Sequence, residues 1–510
     1  MSTNGAKSPV KTASRRLFLS AALVGMPAKS EPRIDGRIVD ESHLLGHRLR
    51  DGGAFAGPKE QIRVPVVIVG SGIAGLSAGW RMDKRGFRDF VILEMEREHG
   101  GNSRWGENEI SAYPWAAHYL PVPNRKAALV RELCEEFGLL ENDGFTERHL
   151  CHSPQERLFI HGRWQEGIEP EAGVSREHRE QFRRFEARIS ELAQTGEFTI
   201  PVDLGAKPSP LDGISMAEWL RRENLTSPYL HWYVNYACLD DYGAKAADTS
   251  AWAGIHYFAS REHEERGPLT WPEGNGWLVR NLLKRLGKYA RASAMVTSIK
   301  REGRLLRVHA GTTEYLARAV IWAAPAFLLR YVFEEAPAAR GLVYSPWLTA
   351  NLTIHRMPRE RKSEPAWDNV IFDSPALGYV VATHQSLRSR IDRSVWTYYY
   401  ALAEGSPAGS RRMLLAKDWN FWKETILRDL ERAHPDIRQC VSRIDVMRLG
   451  HAMVRPSPGW MFSKERRTLA EWGTDVVLAN SDLSGISIFE EAQYRGVLAA
   501  DRILKRLGKG

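Results

Sequence analysis

Cysteine is scarce in this chain, which has 510 residues and only four cysteines, at positions 134, 151, 238 and 440. They are far apart, and neither a CxxC pair nor a Cys/His spacing typical of a metal site occurs. A zinc site is therefore not expected, and no metal ligands are predicted. We expect buried free thiols, and a disulfide remains open if the chain is exported.

Long apolar runs and one-sided charge are also missing. No stretch of 18 consecutive apolar residues occurs, so no stable transmembrane segment is predicted. The formal charge is +9, and the first 63 residues, with 11 Lys/Arg against 6 Asp/Glu, contribute more than half of it. The rest of the chain has no concentrated basic face, which argues against a nucleic-acid partner.

Length and aromatic residues, in contrast, are plentiful. A chain of 510 residues exceeds what one hydrophobic core usually fills, so two closely packed domains are expected. The sequence contains 17 Trp, 16 Tyr and 17 Phe. That much aromatic area suggests a large core and an aromatic-lined cavity for a small molecule.

The amino terminus has the features of a targeting segment. Arg15 and Arg16 precede a short, mostly apolar stretch that is too short to span a bilayer. Residues 1–29 resemble a twin-arginine export signal, which implies the twin-arginine translocase as a partner and a periplasmic or otherwise exported protein. A chance Arg-Arg before a short core helix is the alternative. Residues 30–62 show no strong period and are interpreted as a linker or surface wrap.

A dinucleotide site follows the linker. Val66–Val69 is a continuous β-branched run typical of a buried parallel strand. The next residues, Gly70–Gly75, read GxGxxG and open a helical pattern. Gly70 permits a tight turn, Gly72 lets the backbone approach a pyrophosphate, and Gly75 allows close packing of helix on strand. The helix amino terminus, starting at Ile73 and Ala74, offers free N–H groups to the phosphates.

An acid completes this unit. A second apolar strand, Phe90–Leu93, ends at Glu94, where a carboxylate can accept the ribose hydroxyls of a dinucleotide. An acid at this place disfavours a 2′-phosphate, so NADP is not expected here. A second strand-and-glycine unit for NAD is not evident, which fits an oxidase better than a pyridine-nucleotide reductase.

The segment after Glu94 makes the pattern specific. Gly100 and Gly101 are followed by Asn102 and, two residues on, by Arg104. Acid, short spacer, paired glycines and a basic residue resemble the FAD-binding fingerprint of the flavin amine oxidase and phytoene desaturase superfamily. The resemblance implies that this loop approaches the FAD phosphates. Because Asn102 stands where the family usually has arginine, either Asn102 or Arg104 is expected to meet a phosphate.

Two distant segments resemble the same superfamily. The first runs from Ala294 to Leu328, and the resemblance implies that the backbone of Val296 contacts adenine. The second is carboxy-terminal, where a strand runs into Asp482 and a helix opens at Glu490–Glu491. By resemblance, Asp482 lies near the ribityl chain and pyrophosphate, and the helix start faces the flavin. The carboxy-terminal cysteine that some members use for covalent attachment is absent, so FAD is expected to be non-covalent.

The fold class expected from the resemblance is α/β. It combines a Rossmann-type FAD-binding domain, glutathione-reductase-like and of the amine oxidase type, with an interleaved α+β substrate domain. The FAD-binding domain is expected at residues 63–120, 266–335 and 441–510, and the substrate domain at 121–265 and 336–440. Within the latter, Arg176–Gln194 has the spacing of an amphipathic helix, and Ser394–Leu402 is strand-like.

The catalytic candidates are His118 and Trp460, and half of all candidate residues on the substrate side lie in the expected substrate domain. The resemblance places Tyr113–Tyr119 at the flavin, where small Ala116 and Ala117 let the backbone lie close to the ring and His118 can hydrogen-bond. The substrate-binding candidates are Trp115, Asp240, Asp241 and Tyr398, and Trp460 is a cage-aromatic candidate. The acid pair among aromatics can bind a cationic amine, cap a helix or lie in solvent. His118, Tyr398 and Trp460 have plain structural roles as their alternatives.

Three functions remain open from the sequence. The first is an FAD-dependent oxidase that takes a hydride from a C–H next to an amine nitrogen and passes electrons to oxygen or another acceptor. It is weakened because the lysine usual in amine oxidases has no clear counterpart. The second is an FAD-dependent desaturase or isomerase of an apolar polyene or lipid. The third is a non-enzymatic binding protein of the same fold.

Overall fold

The structure is a computed structural model that describes residues 33–39, 42–142, 144–203, 205–262, 267–359, 365–386 and 391–509. The predicted export signal, residues 1–29, lies outside the described residues. The strands of the described ranges are β1 (Asp35–Ile38), β2 (Glu60–Arg63), β3 (Val66–Val69), β4 (Phe90–Leu93), β5 (Trp105–Glu107), β6 (Ala112–Pro114), β7 (Tyr119–Leu120), β8 (Leu140–Glu141), β9 (Gly144–Phe145), β10 (Glu156–Ile160), β11 (Arg163–Glu166), β12 (Leu269–Thr270), β13 (Ala290–Arg291), β14 (Val296–Glu302), β15 (Leu305–Ala310), β16 (Thr313–Ala317), β17 (Ala319–Trp322), β18 (Tyr344–Ile354), β19 (Asp368–Ile371), β20 (Gly378–Val381), β21 (Ser394–Ala401), β22 (Val441–Val454) and β23 (Val476–Leu478).

The α-helices of the same ranges are α1 (His43–Arg50), α2 (Ile73–Lys84), α3 (Ala128–Glu136), α4 (Arg176–Gln194), α5 (Met216–Arg222), α6 (Pro228–Tyr242), α7 (Ala251–Ala259), α8 (Gly276–Leu286), α9 (Pro407–Ala416), α10 (Trp419–Leu430), α11 (Lys464–Glu471) and α12 (Phe489–Arg506). None of these helices is both long enough and apolar enough to cross a membrane. The four cysteines are buried free thiols, as the sequence predicts.

The first layer is a parallel five-stranded sheet in the order β13-β4-β3-β17-β23. Its central strands are buried on both faces because their side chains alternate between two cores. Val66 and Ile68 face a core shared with α2, α8 and α12, whereas Val67 and Val69 face a core shared with the helical substrate region. A four-stranded sheet, β14-β15-β16-β2, extends the unit. The predicted Rossmann-type α/β fold is confirmed.

The second layer is an eight-stranded mixed sheet in the order β1-β22-β18-β21-β20-β19-β10-β11. One face packs on α10 through a core that contains Trp396 and Tyr398. The other face carries Trp347 and Tyr399 and packs against α6. Side chains of adjacent residues on a strand point to opposite faces, so these two tyrosines belong to different environments.

The structure changes the expected domain boundaries in three places. Residues 30–62, expected as a linker or surface wrap, include β1, which pairs with β22, and most of β2, which pairs with β16. Residues 441–454, expected in the FAD-binding domain, form β22 of the substrate sheet, because this strand pairs along most of its length with β18. Helix α3, expected in the substrate domain, shares the core of α2 and α12 through Val130, Leu133 and Cys134.

Candidate functional site

The amino terminus of α2 forms the centre of a phosphate-binding cradle. Gly72 is its N-cap, and no side chain caps the helix, so the first-turn N–H groups stay available for an anion. Gly70 has φ +99°, a left-handed conformation that favours glycine. A Cβ on Gly75 would lie 1.9 Å from the carbonyl oxygen of Gly70, so only glycine allows this helix to pack on its turn.

Glu94 is held at the end of β4 beside the cradle. Its carboxylate accepts the backbone N–H and the hydroxyl of Ser71, each at 2.8 Å, and the N–H of Glu96 at 3.0 Å. The carbonyl oxygen of Glu94 accepts the N–H of Ala294 at 2.7 Å, which brings the start of β14, with Val296, to the same end of the sheet. The structure therefore brings the predicted ribose and adenine residues together.

The paired-glycine loop closes over the start of α2. The N–H of Gly100 donates to the carbonyl oxygen of Ser71 at 3.0 Å, and Gly100 forms a parallel bridge with Gly72. Gly101 has φ +58°, and a Cβ there would lie 3.2 Å from the Cα of Gly72. The loop thus approaches the helix start as closely as two backbones can.

The two polar side chains of this loop that were expected to meet a phosphate, Asn102 and Arg104, bind protein groups instead. The amide of Asn102 donates to the carbonyl oxygen of Ala452 at 2.7 Å, so this side chain joins the loop to β22. The guanidinium of Arg104 donates to the carbonyl oxygen of Gly101 at 3.0 Å and lies 3.5 Å from a carboxylate oxygen of Glu96. Arg104 therefore lies at the rim of the cradle, and the side chain of Asn102 is occupied by the substrate sheet.

The residues present fit the adenosine diphosphate portion of FAD. The key observation is the space at Gly72, where a Cβ would meet only the Cα of Gly101, at 3.9 Å. The protein alone therefore does not require glycine here, whereas a pyrophosphate approaching the backbone does. Uncapped N–H groups, a carboxylate at the ribose position and an open approach are the features that a dinucleotide needs.

Asp482 lies at the same carboxyl edge of the parallel sheet, just after β23. Its carboxylate accepts the N–H of Ala326 at 2.9 Å, the hydroxyl of Tyr344 and the amide of Asn480 at 3.3 Å. Burial raises the pKa of Asp482, although the hydrogen bonds from these three donors act to lower it. Ligands of open α/β sheets bind at this edge, so the location agrees with the role that the resemblance implies.

The start of α12 adds two buried acids. Glu490 pairs with Arg261 at 2.8 Å, and Glu491 accepts the N–H of Val202 at 2.6 Å and the hydroxyl of Ser484. Further along, a Cβ on Gly496 would lie 2.1 Å from the carbonyl oxygen of Ala74. This close approach packs α12 against the first turn of α2, so the carboxy-terminal motif lies directly beside the cradle.

The segment Trp115–Tyr119 connects the cradle to the substrate sheet. The N–H of Ala117 donates to the carbonyl oxygen of Asn102 at 2.9 Å, on the cradle side. On the sheet side, the hydroxyl of Tyr399 donates to the carbonyl oxygen of Ala116 at 2.9 Å. The hydroxyl of Thr349 donates to the carbonyl oxygen of Trp115 at 2.7 Å. The backbone is thus clamped between the two layers.

His118 lies inside this clamped segment. Its ring contacts the rings of Tyr399 and Trp367, with centroids 4.6 and 5.4 Å away. Burial lowers the pKa of His118 to about 4, although its Nδ1 is 3.3 Å from the carbonyl oxygen of Ala116. The imidazole is therefore neutral at physiological pH and contributes an aromatic wall without a positive charge.

Four acids lie together beyond this segment and form what we call the acidic chamber: Glu156, Asp240, Asp241 and Asp368. Burial is the largest cause of a raised pKa for each, and repulsion from other acids of the group adds to it for Asp240 and Asp368; the pKa of Asp240 rises to about 7 and that of Asp241 to about 6. All four residues nevertheless keep accessible surface. They are therefore half-buried and do not belong to a fully packed core.

Tyrosines complete the walls of the acidic chamber. Tyr236 and Tyr399 are buried and Tyr119 is half-buried beside the acids. Desolvation first and then the nearby carboxylates raise the pKa of each hydroxyl well above its ordinary value. One cation lies nearby, Arg261. Burial lowers its pKa, but Glu490 and Asp241 outweigh burial and raise it above the ordinary value. In the described ranges no group of His, Cys, Asp and Glu side chains is arranged to hold a metal ion.

Sequence reasoning found half of these acids. Asp240 and Asp241 were candidates, but Glu156 and Asp368 were not. These two are direct partners in the parallel register of β10 and β19. Like charges opposite each other destabilise a sheet, and repulsion from Glu156 is one cause of the raised pKa of Asp368. The sequence offers no local signal for it, because the two strands are far apart along the chain.

Three substrate-side candidates belong to cores instead. Tyr398 is fully buried on the α10 face of the sheet, where its hydroxyl donates to Asp429 at 2.9 Å; Tyr399 takes the place expected for it. The side chain of Trp115 packs in a small core with Val395. Trp460 is 6% exposed and packs among core residues under the Asp482 loop. The structural alternative therefore holds for Tyr398 and Trp460, and Trp115, expected at the substrate, is a core residue as well.

Comparisons with known proteins agree with this architecture. The family model of the NAD(P)-binding Rossmann-like domain matches residues 68–137. Comparison with curated protein sequences gives no match. The structure is similar to putrescine oxidase bound to putrescine, with a TM-score of 0.67, 15% identity and coverage of 88% of this chain and 100% of that one.

Two other solved structures are also similar. Cyclohexylamine oxidase from Brevibacterium oxydans has a TM-score of 0.66 and 15% identity, with coverage of 87% of this chain and 99% of that one. A fatty acid isomerase from P. acnes that produces CLA has a TM-score of 0.60 and 14% identity, with coverage of 87% and 98%. The chain therefore has the two-layer fold of these enzymes, a Rossmann-like domain joined to a mixed substrate sheet.

Proposed function

We propose that this chain is an FAD-dependent oxidoreductase that oxidises a cationic amine and passes the electrons to oxygen. The observation that supports this proposal is the position of Trp115–Tyr119 between the cradle and the acidic chamber. This segment touches the dinucleotide cradle at Asn102 and the acidic chamber at Tyr399. A cofactor held in the cradle and a cation held by the acids would therefore meet along one clamped piece of backbone.

The residues that would hold FAD are those of the cradle. The first turn of α2 and the paired-glycine loop would bind the pyrophosphate, Glu94 the ribose, and the region of Asp482 the ribityl end. When bound, FAD supplies the capacity to accept a hydride from a carbon next to nitrogen and to return electrons to oxygen. No cysteine is needed for this arrangement, so we propose non-covalent binding.

The acidic chamber would bind and orient the substrate ammonium. Asp240 and Asp368 offer negative charge in a setting of low dielectric, where a cation gains more than it does in water. Neutral His118 and the tyrosine rings would exclude water and add cation–π contacts. Proximity and desolvation, rather than a strong protein base, are what this chain contributes to the reaction.

The second candidate is an isomerase or desaturase of an apolar lipid in the same chamber. The likeness to the fatty acid isomerase and the aromatic walls favour it. The four acids speak against it, because an apolar ligand would cover them further while Arg261, beside Asp241, is their one nearby cation among the described residues. A non-enzymatic binding protein would retain the fold without needing the space at Gly72.

The test is to identify the cofactor and then the substrate. Purified protein is denatured to release its cofactor, and the intact protein is supplied with a panel of amines while peroxide is measured. Released FAD with amine-dependent peroxide supports the proposal. FAD without a response to any amine, but with conversion of a polyunsaturated fatty acid, would favour the second candidate. Protein that neither carries nor binds FAD would leave only the binding function.

We also propose export through the twin-arginine route, on the residues Arg15 and Arg16. This route carries folded proteins, which suits a chain that must enclose a cofactor first. The measurement is the location of the full chain in cells with and without the translocase, with Arg15→Lys/Arg16→Lys as the matched variant. Periplasmic protein that depends on both is expected, and cytoplasmic retention of the unmodified chain would contradict it.

A further inference from the structure

The segment before the cradle crosses from one layer of the molecule to the other, and we call its residues 33–39 and 42–63 the strap. At its first end, β1 pairs with β22 of the substrate sheet, and the N–H of Val39 donates to the carbonyl oxygen of Val446 at 2.9 Å. At its second end, β2 pairs with β16 of the four-stranded sheet. Helix α1 lies between these two anchors, so it spans the junction of the two layers.

The amino-terminal end of α1 is tied to the rim of the cradle. Its N-cap residue, Ser42, donates its hydroxyl to the carboxylate of Glu96. The N–H of Glu96 donates at 3.0 Å to the carboxylate of Glu94, the acid expected at the ribose. The carboxylate of Glu96 also lies 3.5 Å from the guanidinium of Arg104. The helix therefore begins directly beside the part of the site assigned to the ribose.

The other end of α1 lies towards Asp482. His47 is within the electrostatic reach of His451 on β22. The ring of His451 contacts that of Tyr344, with centroids 5.8 Å apart, and the hydroxyl of Tyr344 donates to Asp482. Glu94 and Asp482 are the acids expected on the two sides of the diphosphate. Because α1 has contacts towards both, it lies across the mouth of the cradle.

The half-buried face of α1 has little protein beneath it. Ser42, His43, Gly46, His47 and Leu49 are half-buried at helical spacing, whereas the residues between them are exposed. Leu49 packs against a core, but none of the eight residues of α1, all of which the structure describes, is buried. A Cβ on Gly46 would meet no heavy atom of the described residues within 4 Å beyond its own helix. This face of the helix therefore borders open space.

Gly46 is not explained by the fold alone. Glycine within a helix lowers its stability relative to alanine, so a glycine with free space around it needs another reason. Gly72, at the start of α2, likewise has no near neighbour in the protein that requires glycine. Space kept for a ligand between α1 and the cradle accounts for both positions.

The charge of α1 suits an anionic ligand. The helix contains two histidines and two arginines and no acid, and Arg50 pairs at 2.7 Å with Asp51, which follows it. In the cradle, the two side chains expected at a phosphate, Asn102 and Arg104, bind protein groups. A diphosphate in the cradle would therefore find further donors on the half-buried face of α1.

We propose that α1 is a lid that closes over bound FAD, with Gly46 leaving room for the cofactor and His47 facing it. This inference rests on the FAD binding of the proposed function, and it assigns cofactor-binding residues outside the strand–helix–strand unit of the cradle. The strap then holds a non-covalent cofactor in place, because it is anchored to one sheet on each side of the cradle.

The first test compares two glycines of the strap in the apoprotein. Gly46→Leu fills the space beneath α1, so FAD affinity should fall about tenfold or more. Its thermal unfolding temperature should stay the same or rise, because leucine favours a helix more than glycine does. Gly57→Leu is the matched control, since Gly57 is exposed and a Cβ there also meets no described heavy atom within 4 Å. It should change neither quantity, which fluorescence titration with FAD and calorimetry measure.

The second test observes α1 directly by hydrogen–deuterium exchange of the unmodified protein. A helix without buried residues should exchange rapidly in the apoprotein, and FAD should slow the amides of His43–Arg50 about tenfold. The amides of α10, on the far face of the substrate sheet, are the internal reference and should not change. His47→Ala should also speed FAD release about three- to tenfold, with Leu44→Ala on the exposed face as its control.

The outcomes separate the two proposals. If Gly46→Leu binds FAD with unchanged affinity, or if α1 exchanges equally fast with and without FAD, the lid inference is overturned and the proposed function stands. An equal loss of affinity in Gly57→Leu would also overturn it, because the effect would not come from the space beneath α1. If the unmodified protein does not bind FAD at all, the proposed function fails and the inference fails with it.

Discussion

The cradle and the acidic chamber are built in opposite ways. The cradle consists mostly of the contiguous stretch 66–104, and it acts through backbone N–H groups exposed by glycines. The chamber draws side chains from β10, α6, β19 and β21, which are separated by long stretches of chain. A site formed by backbone groups depends on one short stretch of sequence. A site formed by side chains of distant elements exists only once the layers have packed.

The acids of the two regions differ in the same sense. Glu94 has three hydrogen-bond donors from the protein itself. Asp240 has no such donor among the described residues, and burial followed by repulsion from Asp241 and Glu156 raises its pKa to about 7. A satisfied carboxylate holds a local structure in place. Acids without such donors keep raised pKa values, and a cation bound beside them would lower those values again.

The largest expected effect separates two glycines of the cradle. Gly75→Ala places a methyl 1.9 Å from the carbonyl oxygen of Gly70, so it should destabilise the fold by about 3 kcal/mol or more. Gly72→Ala meets only a distant Cα, so its thermal unfolding should match that of the unmodified protein. Its FAD affinity should nevertheless fall tenfold or more, a change of about 1.4 kcal/mol per factor of ten. Calorimetry and flavin titration measure the two quantities.

One outcome of this comparison would contradict the role assigned to the cradle. Unchanged FAD affinity in Gly72→Ala would mean that no phosphate approaches this backbone, and the cradle would lose its assigned role. Loss of FAD in Gly75→Ala alone would carry no such information, because that protein is expected to be damaged whether or not a cofactor binds.

The next effect concerns the pH dependence of the acidic chamber. With a pKa of about 7, Asp240 is protonated below that pH and ionised above it. Affinity for an alkylammonium should therefore rise as the pH passes from about 6 to about 8, while the amine itself stays protonated. Asp240→Asn should remove most of this rise and weaken binding about tenfold at high pH. Anaerobic titrations at several pH values measure it.

The same group predicts the sign of a stability change. The folded pKa lies above the unfolded value of about 4, so the folded state holds a proton that the unfolded state lacks between these two values. Stability should therefore fall as the pH rises through this window. Asp240→Asn should unfold at a higher temperature than the unmodified protein above pH 7, and equal unfolding temperatures there would contradict the repulsion described here.

A smaller effect compares two neighbouring tyrosines of β21. Tyr399→Phe loses the hydrogen bond to Ala116 in the chamber, so amine affinity should fall about fivefold with little change in stability. Tyr398→Phe loses the bond to buried Asp429 on the opposite face and should cost about 1–2 kcal/mol of stability with unchanged amine affinity. Reversed effects would mean that the chamber lies on the α10 face.

The smallest effect is at the loop over the cradle. Asn102→Ala removes a side chain that donates to Ala452, not one that the structure directs at a phosphate. FAD affinity should change less than about threefold, since one exposed hydrogen bond is worth about 0.5–1 kcal/mol. A large loss of FAD in a folded Asn102→Ala protein would return Asn102 to the phosphate role expected from the sequence.

Local patterns explain which features the sequence revealed. The glycines from Gly70 to Gly75 and the acid at Glu94 act within one strand–helix–strand unit, and the amphipathic spacing of Arg176–Gln194 predicts α4 with its observed bounds. The alternation along β21 was readable too, but the face that meets the cofactor layer was not. That choice depends on how the sheet packs between α6 and α10, which is set by residues far away in the sequence.

Pairing between distant strands explains what the sequence missed. Glu156 and Asp368 become neighbours only through the register of β10 and β19. The role of Val441–Val454 as a long strand of the substrate sheet likewise depends on its pairing with β18. Such pairings are determined by the whole core, so the local pattern of a single sequence gives no signal for them.

The most direct test of the central claim is the anaerobic reductive half-reaction, followed by stopped-flow absorption of the FAD-loaded protein mixed with a short alkylamine. The account predicts loss of the oxidised flavin spectrum, with an apparent Kd that falls as the pH rises through about 7, the pKa of Asp240. A protein that binds FAD but keeps its oxidised spectrum with every amine at every pH would contradict the claim that cradle and acidic chamber form one amine-oxidising site.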